Sequence, residues 1–276
     1  MNQLGLVRRF ILIKVNDMNL GIISYNYYES GIKGVKDLGL DYVEFCINEE
    51  AEKFLKEVPN LKNNLVKYGV KVASIGRWGT TRIDKNGLVL EELEVSYRLI
   101  DACETLGAPV FVCGCNYVDE LSYYDNLTLA IKYFKALIDY ASPKGVKIAV
   151  YNCRWNNFIC TDETWRIVLG HLPELGIKYD PSHCVYDGGN YLEEINKWGE
   201  RFYHFHLKGS LYINNQRVDD PPAGLDMTNW PAVMGLLYAK GYQGILSIEP
   251  HSSTWTGELG AKGVEYTINY FKQLIF

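Results

Sequence analysis

The sequence predicts a single closed (β/α)8 barrel, and three observations carry that expectation. Eight short apolar, β-branched or aromatic runs alternate with longer amphipathic ones from Leu20 to the end of the chain, as parallel strands joined by crossover helices do. No Gly-x-Gly-x-x-Gly or P-loop follows any of these runs, which disfavours an open doubly wound sheet. The alternation fills about 250 residues, the usual size of eight such units closed on themselves.

The strands are expected, in order, at Leu20–Ser24, Tyr42–Cys46, Lys71–Ile75, Pro109–Cys115, Lys147–Asn152, Ile177–Asp180, Phe202–Lys208 and Gly244–Pro250. Helical stretches lie between them. In Glu91–Leu106 the apolar positions Leu93, Tyr97, Ile100 and Cys103 recur at three- and four-residue spacing, as do Leu129, Tyr133, Leu137 and Tyr140 in Leu127–Tyr140. Such spacing gives each helix one stripe to lay on the sheet. Gly39, Gly69, Gly107, Gly145, Gly176 and Gly241 each stand shortly before a strand, where a left-handed cap ends a helix. The widest connection, Gly209–Asn229, contains Pro221, Pro222 and Gly224 and is long enough to act as a lid over one barrel face.

Residues 18–276 therefore read as one barrel domain, and residues 1–17 as an N-terminal extension. The apolar run Leu4–Val15 is too short to span a bilayer, and Arg8, Arg9 and Lys14 interrupt it where a signal peptide would be unbroken. With 28 Lys plus Arg against 33 Asp plus Glu, the formal charge of −5 leaves no footprint for a phosphate-backbone binder. Nucleic acid and membrane are excluded as partners on these grounds. Seven cysteines without Cys-x-x-Cys spacing fit a reducing cytoplasm better than a disulfide framework or a zinc site. The 21 tyrosines leave ample aromatic surface for homo-oligomerisation.

In such a barrel the chemistry sits at the carboxyl ends of the strands, and there the second half of the chain is rich in polar residues. Residues two apart on a strand share a face. His204, His206 and Lys208 therefore point inward, with Tyr203, Phe205 and Leu207 facing the helices. By the same rule Tyr151, Lys178, Asp180, Ser247 and Glu249 face inward. Asp180, His206 and Glu249 bring two carboxylates and one imidazole to one rim, a set suited to one divalent ion such as Mn²⁺, Mg²⁺, Co²⁺ or Zn²⁺ with open positions for substrate.

The Asp-x-x-His of Asp180 and His183, the His-x-Lys of His206 and Lys208, and Gly241-Tyr242-Gln243-Gly244 leading into Ser247-Ile248-Glu249-Pro250 resemble the xylose isomerase-like barrel superfamily of sugar phosphate isomerases and epimerases. The resemblance runs from Met18 to the end. It implies a metal held by a fifth-strand Glu, a sixth-strand Asp, a seventh-strand His and an eighth-strand Glu, with the two glutamates acting as paired acid and base on opposite faces of the substrate carbon. This chain departs from that pattern: the fifth strand ends Tyr151-Asn152. Tyr151 then has three readings: a hydroxyl donor to an oxyanion or an acid, a phenolate ligand, or a filler of the vacated space.

His183 is expected to contact substrate. Lys208 is expected either to meet a sugar or phosphate oxygen or to pair with Asp226 or Glu249. His204, one layer deeper, reads as structural, and Lys178 is anomalous, since an inward lysine must find a carboxylate or shift its pKa. Glu44 lies near the end of the second strand, near the substrate mouth, with a hydrogen-bonding role favoured. Trp78, Asn116, Trp155 and Trp255 follow strands at the predicted mouth, where aromatic faces suit a sugar ring.

The leading expectation is a metal-dependent isomerase or epimerase acting on a small sugar or polyol by proton abstraction next to a carbonyl, with Glu249 as base and Tyr151 as the second candidate catalytic group. With one carboxylate missing, the alternatives are a one-base lyase or dehydratase of the inosose or 3-keto-glycoside type, or a catalytically silent barrel serving as a binding or regulatory subunit. An endonuclease of the same superfamily would need more histidines than the five present.

Overall fold

The computed structural model describes residues 18–48, 50–214 and 216–276, so the expected extension at residues 1–17 lies outside the described residues. Eight parallel strands form a closed barrel: β1 (Asn19–Ser24), β2 (Tyr42–Cys46), β3 (Lys71–Arg77), β4 (Val110–Cys113), β5 (Lys147–Tyr151), β6 (Gly176–Tyr179), β7 (Phe202–Leu207) and β8 (Ile245–Ile248). Closure is made by β1 against β8, with Gly21 opposite Ser247 and Ile22 opposite Ile248. The expected (β/α)8 barrel is thus the observed fold.

Strand ends differ from the sequence expectation where loops compete for the backbone. β4 stops at Cys113 rather than Cys115, because the Cys115 N–H donates to Asn157 Oδ1 at 3.0 Å and its carbonyl accepts from Phe158 N–H at 3.0 Å. Asn152, Asp180, Lys208 and Glu249 all fall just past the last paired residue of their strands, on the rim where a side chain can meet a ligand.

The helices follow the apolar spacing. Leu90–Leu106 buries Leu93, Ile100 and Cys103, and Tyr123–Ala141 buries Tyr133 and Leu137. Thr161 opens Asp162–His171 with a reciprocal capping box to Thr164. Gly69 and Gly107 close their helices at φ 64° and 71°, where a side chain would be strained. Gly176 is a correction. It is the first residue of β6, without a positive φ, and it is small because a Cβ there would lie 2.1 Å from the Tyr203 ring.

Phe45, Phe111, Phe205 and Leu246 turn outward into the main core beneath the helices. The barrel interior instead holds a buried polar layer of Glu44, Ser74, Lys178 and His204. Two register shifts set that layer: Glu44 pairs with Ser74, skipping Ala73, and Lys178 pairs with His204, skipping Tyr203. A one-residue slip turns a side chain to the other face. Tyr203 therefore joins an inner cluster with Val110, Val112 and Ala149 rather than facing the helices as strict alternation predicted. The connection at 209–229 carries a small hairpin, Leu211–Ile213 against Gln216–Asp219. Arg217 and Asp220 tie it to His251 after β8, with His251 Nδ1 2.7 Å from Asp220 Oδ2.

Candidate active site

The site is built around His206, whose two ring nitrogens face two different carboxylates. Nδ1 lies 2.6 Å from Glu249 Oε2 and Nε2 lies 2.8 Å from Glu44 Oε2. The same Glu44 oxygen also takes His204 Nε2 at 2.7 Å. Lys208, the third inward residue of β7, places its Nζ 3.8 Å from Glu249 Oε1. Asp180 is held rigidly: Asn152 accepts from its N–H at 3.0 Å and donates to its carbonyl at 2.8 Å. Its Oδ1 caps the short helix Pro181–Tyr186 by accepting from Ser182 N–H at 2.9 Å.

That capping leaves Asp180 Oδ2 buried without a hydrogen-bond partner among the described residues; His183 Nε2 stands 3.4 Å away. An orphaned buried carboxylate oxygen is costly unless a cation or donor meets it. Ligand atoms of Asp180, His206 and Glu249 all lie within 4.8 Å of one another. A divalent ion fits this set: the vacant Asp180 oxygen, the Nδ1 side of His206 and Glu249 would supply three ligands. Glu44 would hold His206 from behind as carboxylates commonly hold metal-binding histidines. Glu44, His204 and His206 make a second cluster of the same kind, in which Glu44 Oε2 meets both imidazoles and Oε1, like Asp180 Oδ2, is buried without a partner among the described residues.

The electrostatics keep the carboxylates ionised. Burial opposes charge on Glu249, yet Lys208 and His206 hold its carboxyl well below the usual range. Glu44 is likewise held well below by His204 and His206 in spite of burial. His206 is raised, the pull of Glu44 and Glu249 outweighing desolvation, whereas His204 is lowered by burial. Burial brings His183 down to about 4, so its imidazole is neutral near pH 7.

Above these residues opens a cavity of about 130 Å³ at the carboxyl ends of the strands. Trp78, Trp155, His183, His206, Lys208 and Glu249 line it, and Glu249 is its only carboxylate among the described residues. A larger cavity of about 910 Å³ lies at the opposite end, against strand starts such as Tyr42, Lys71 and Lys147. It contains none of the rim residues, and the face that carries chemistry in this architecture is the other one.

Four expected site residues are placed elsewhere. Tyr151 is buried and stacks on Trp78 at 5.5 Å between centroids, but its hydroxyl donates to the Trp155 carbonyl at 2.9 Å. Burial raises its pKa. The geometry thus meets neither the acid nor the ligand reading; the ring fills space beside Gly114, where a Cβ would lie 2.5 Å from it. Asn116 clamps a loop, accepting from Arg82 and Ile83 N–H and donating to the Ile83 carbonyl. Glu44 is wholly buried under the histidines rather than at the mouth. Trp255 also lies off the main cavity.

Tyr25, Lys178 and His251 line the cavity as well. Tyr25 and His251 follow β1 and β8, so their place just past strand ends was the available signal; for Lys178 it was an inward lysine.

The family model for the xylose isomerase-like TIM barrel matches residues 32–274. The protein YfiH of Bacillus subtilis (strain 168) is 24% identical over 168 residues, which is 53% of each chain, so the chain spans about half the length of that curated relative. Among solved structures, a D-allulose 3-epimerase from Methylomonas sp. superposes with a TM-score of 0.76 at 18% identity, covering 94% of this chain and 98% of that one. The 3-keto-D-glucoside 4-epimerase YcjR from E. coli gives 0.73 at 14% identity, covering 93% and 99%. At such identities the likeness concerns the fold.

Proposed function

The chain belongs to the xylose isomerase-like TIM barrel family, and from that premise we propose that it is an enzyme that isomerises or epimerises a small sugar or polyol by proton transfer next to a carbonyl. One observation carries the proposal: Glu249, the single carboxylate on the cavity among the described residues, is held by His206 beside the vacant oxygen of Asp180. A positioned carboxylate of this kind is a general base. A divalent ion held by Asp180, His206 and Glu249 would supply Lewis-acid polarisation of neighbouring carbonyl and hydroxyl oxygens. His183, neutral, and Lys208, cationic, donate to substrate oxygens, while Trp78 and Trp155 offer flat apolar walls to a carbon skeleton.

Because no second carboxylate among the described residues lines the cavity, Glu249 removes and returns the proton on one face. That favours shifting a carbonyl between adjacent carbons, or eliminating a β-substituent, over inverting a centre, which needs a group on each face. The lyase alternative rests on this same observation. Seven cysteines free of disulfides support a reducing compartment, and no described helix is long and apolar enough to cross a membrane.

The test is solvent exchange. Protein loaded in turn with Mn²⁺, Mg²⁺, Co²⁺ and Zn²⁺ is incubated with ketoses in D2O, and deuterium next to the carbonyl is followed by NMR. Incorporation that disappears in Glu249→Gln supports the reading; a wild-type protein that labels none of a broad ketose panel refutes it.

A further inference from the structure

We propose that Lys178 holds the oxyanion formed during proton transfer, a role deduced from its position and resting on the reading above. Its side chain is 2% exposed, yet it lines the small cavity beside His206, Lys208 and Glu249. Among the described residues no carboxylate lies within ion-pair distance of its Nζ. An ammonium that opens on the cavity with no carboxylate paired to it among the described residues is free to meet a ligand oxygen.

The register explains how it arrives there. Lys178 pairs with Tyr151 on β5 and, through the skipped Tyr203, with His204 on β7. It therefore projects into the barrel next to the strand end where Tyr151 turns its hydroxyl away to the Trp155 carbonyl. Lys178 and Glu249 line the same cavity, and the lysine's charge also lowers the carboxyls of Asp180 and Glu249.

The step balances without another reagent. Glu249 takes the proton as the C–H bond breaks, that electron pair forms a carbon–carbon double bond, and the carbonyl π pair moves onto oxygen. The Lys178 ammonium donates a hydrogen bond to this new oxyanion and keeps its own protons. Return of the proton from Glu249 to the adjacent carbon, with transfer of the hydroxyl proton between the two oxygens, gives the isomer. A fixed cation aimed at developing charge is the most effective form of such stabilisation.

Two readouts separate this role from the proton-transfer reading. Binding of glycolohydroxamate, a mimic of a cis-enediolate, is measured by calorimetry for wild type, Lys178→Met, Lys178→Gln and Lys178→Arg, with sorbitol as a neutral control and with metal content determined on each sample. Lys178→Met should weaken the hydroxamate about tenfold or more, leave sorbitol within about threefold, and slow deuterium exchange about 100-fold with little change in KM. Lys178→Arg should recover part of the loss. Sorbitol binding shows that a variant is folded, and Lys178→Gln serves if the Met variant is not. Equal hydroxamate affinity in wild type and the folded neutral variants, or none in wild type, overturns the assignment. Absence of deuterium exchange in wild type, with the hydroxamate difference intact, instead overturns the proton-transfer reading and supports Lys178 as an oxyanion site.

Discussion

Replacing Glu44 by Gln tests whether the site is held from below. The wild-type carboxylate accepts from two imidazoles, at 2.7 and 2.8 Å, in a place with no solvent access. Hydrogen bonds to a charged partner contribute about 1.5–3 kcal/mol each, so the pair is worth about 3–6 kcal/mol. Glutamine keeps one acceptor oxygen but loses the charge and aims an N–H₂ into the same space, so about half should be lost, roughly 2–3 kcal/mol. For a domain of this size that lowers Tm by about 5–10 °C. Loss of the group that orients His206 should also weaken divalent metal binding about 10–100-fold. Urea or thermal unfolding of metal-free protein measures the first effect and competitive chelator titration the second. A variant with stability within about 0.5 kcal/mol of wild type and unchanged metal affinity would refute the argument that Glu44 organises the histidines.

Other outcomes follow from the same geometry. Asp180→Ala and His206→Ala should each lose most of the bound metal by elemental mass spectrometry, and unchanged content in these and in Glu249→Ala would show that the cluster is not a metal site. Tyr151→Phe should keep exchange activity within about threefold of wild type and lose about 1 kcal/mol of stability, the value of one hydrogen bond; a large fall in turnover would return the phenol to the chemistry. Asp220 is held down to about 2 because His251, Arg217 and Tyr186 outweigh its burial, against about 3.9 when unfolded. Its contribution, about 2 kcal/mol, is therefore present above pH 4 and is lost as pH falls through 2. Asp220→Asn should remove that stability at pH 7 and flatten the acid limb between pH 4 and 2, as urea midpoints across that range would show.

The sequence by itself determined the barrel, its eight strands to within a few residues, and the inward set His204, His206, Lys208, Asp180 and Glu249. These are local properties: a period of two fixes which face a strand residue occupies, and a period of 3.6 fixes the helix stripe. Even there, a single skipped residue at Tyr203 reversed one assignment, because register is a property of the neighbouring strand as well. Only the tertiary structure decided what those side chains meet. Glu44 reaches His206 from 162 residues away in the chain and from a strand that is not its neighbour, so no spacing announces the contact. Tyr151 occupies the expected strand end, but whether its hydroxyl meets the rim or a loop carbonyl depends on Trp78, Gly114 and the path of the chain at Trp155. Strand periodicity sets the direction of a Cα–Cβ bond, whereas the end of a long side chain goes where packing and an unpaired carbonyl draw it, and those are supplied by distant segments.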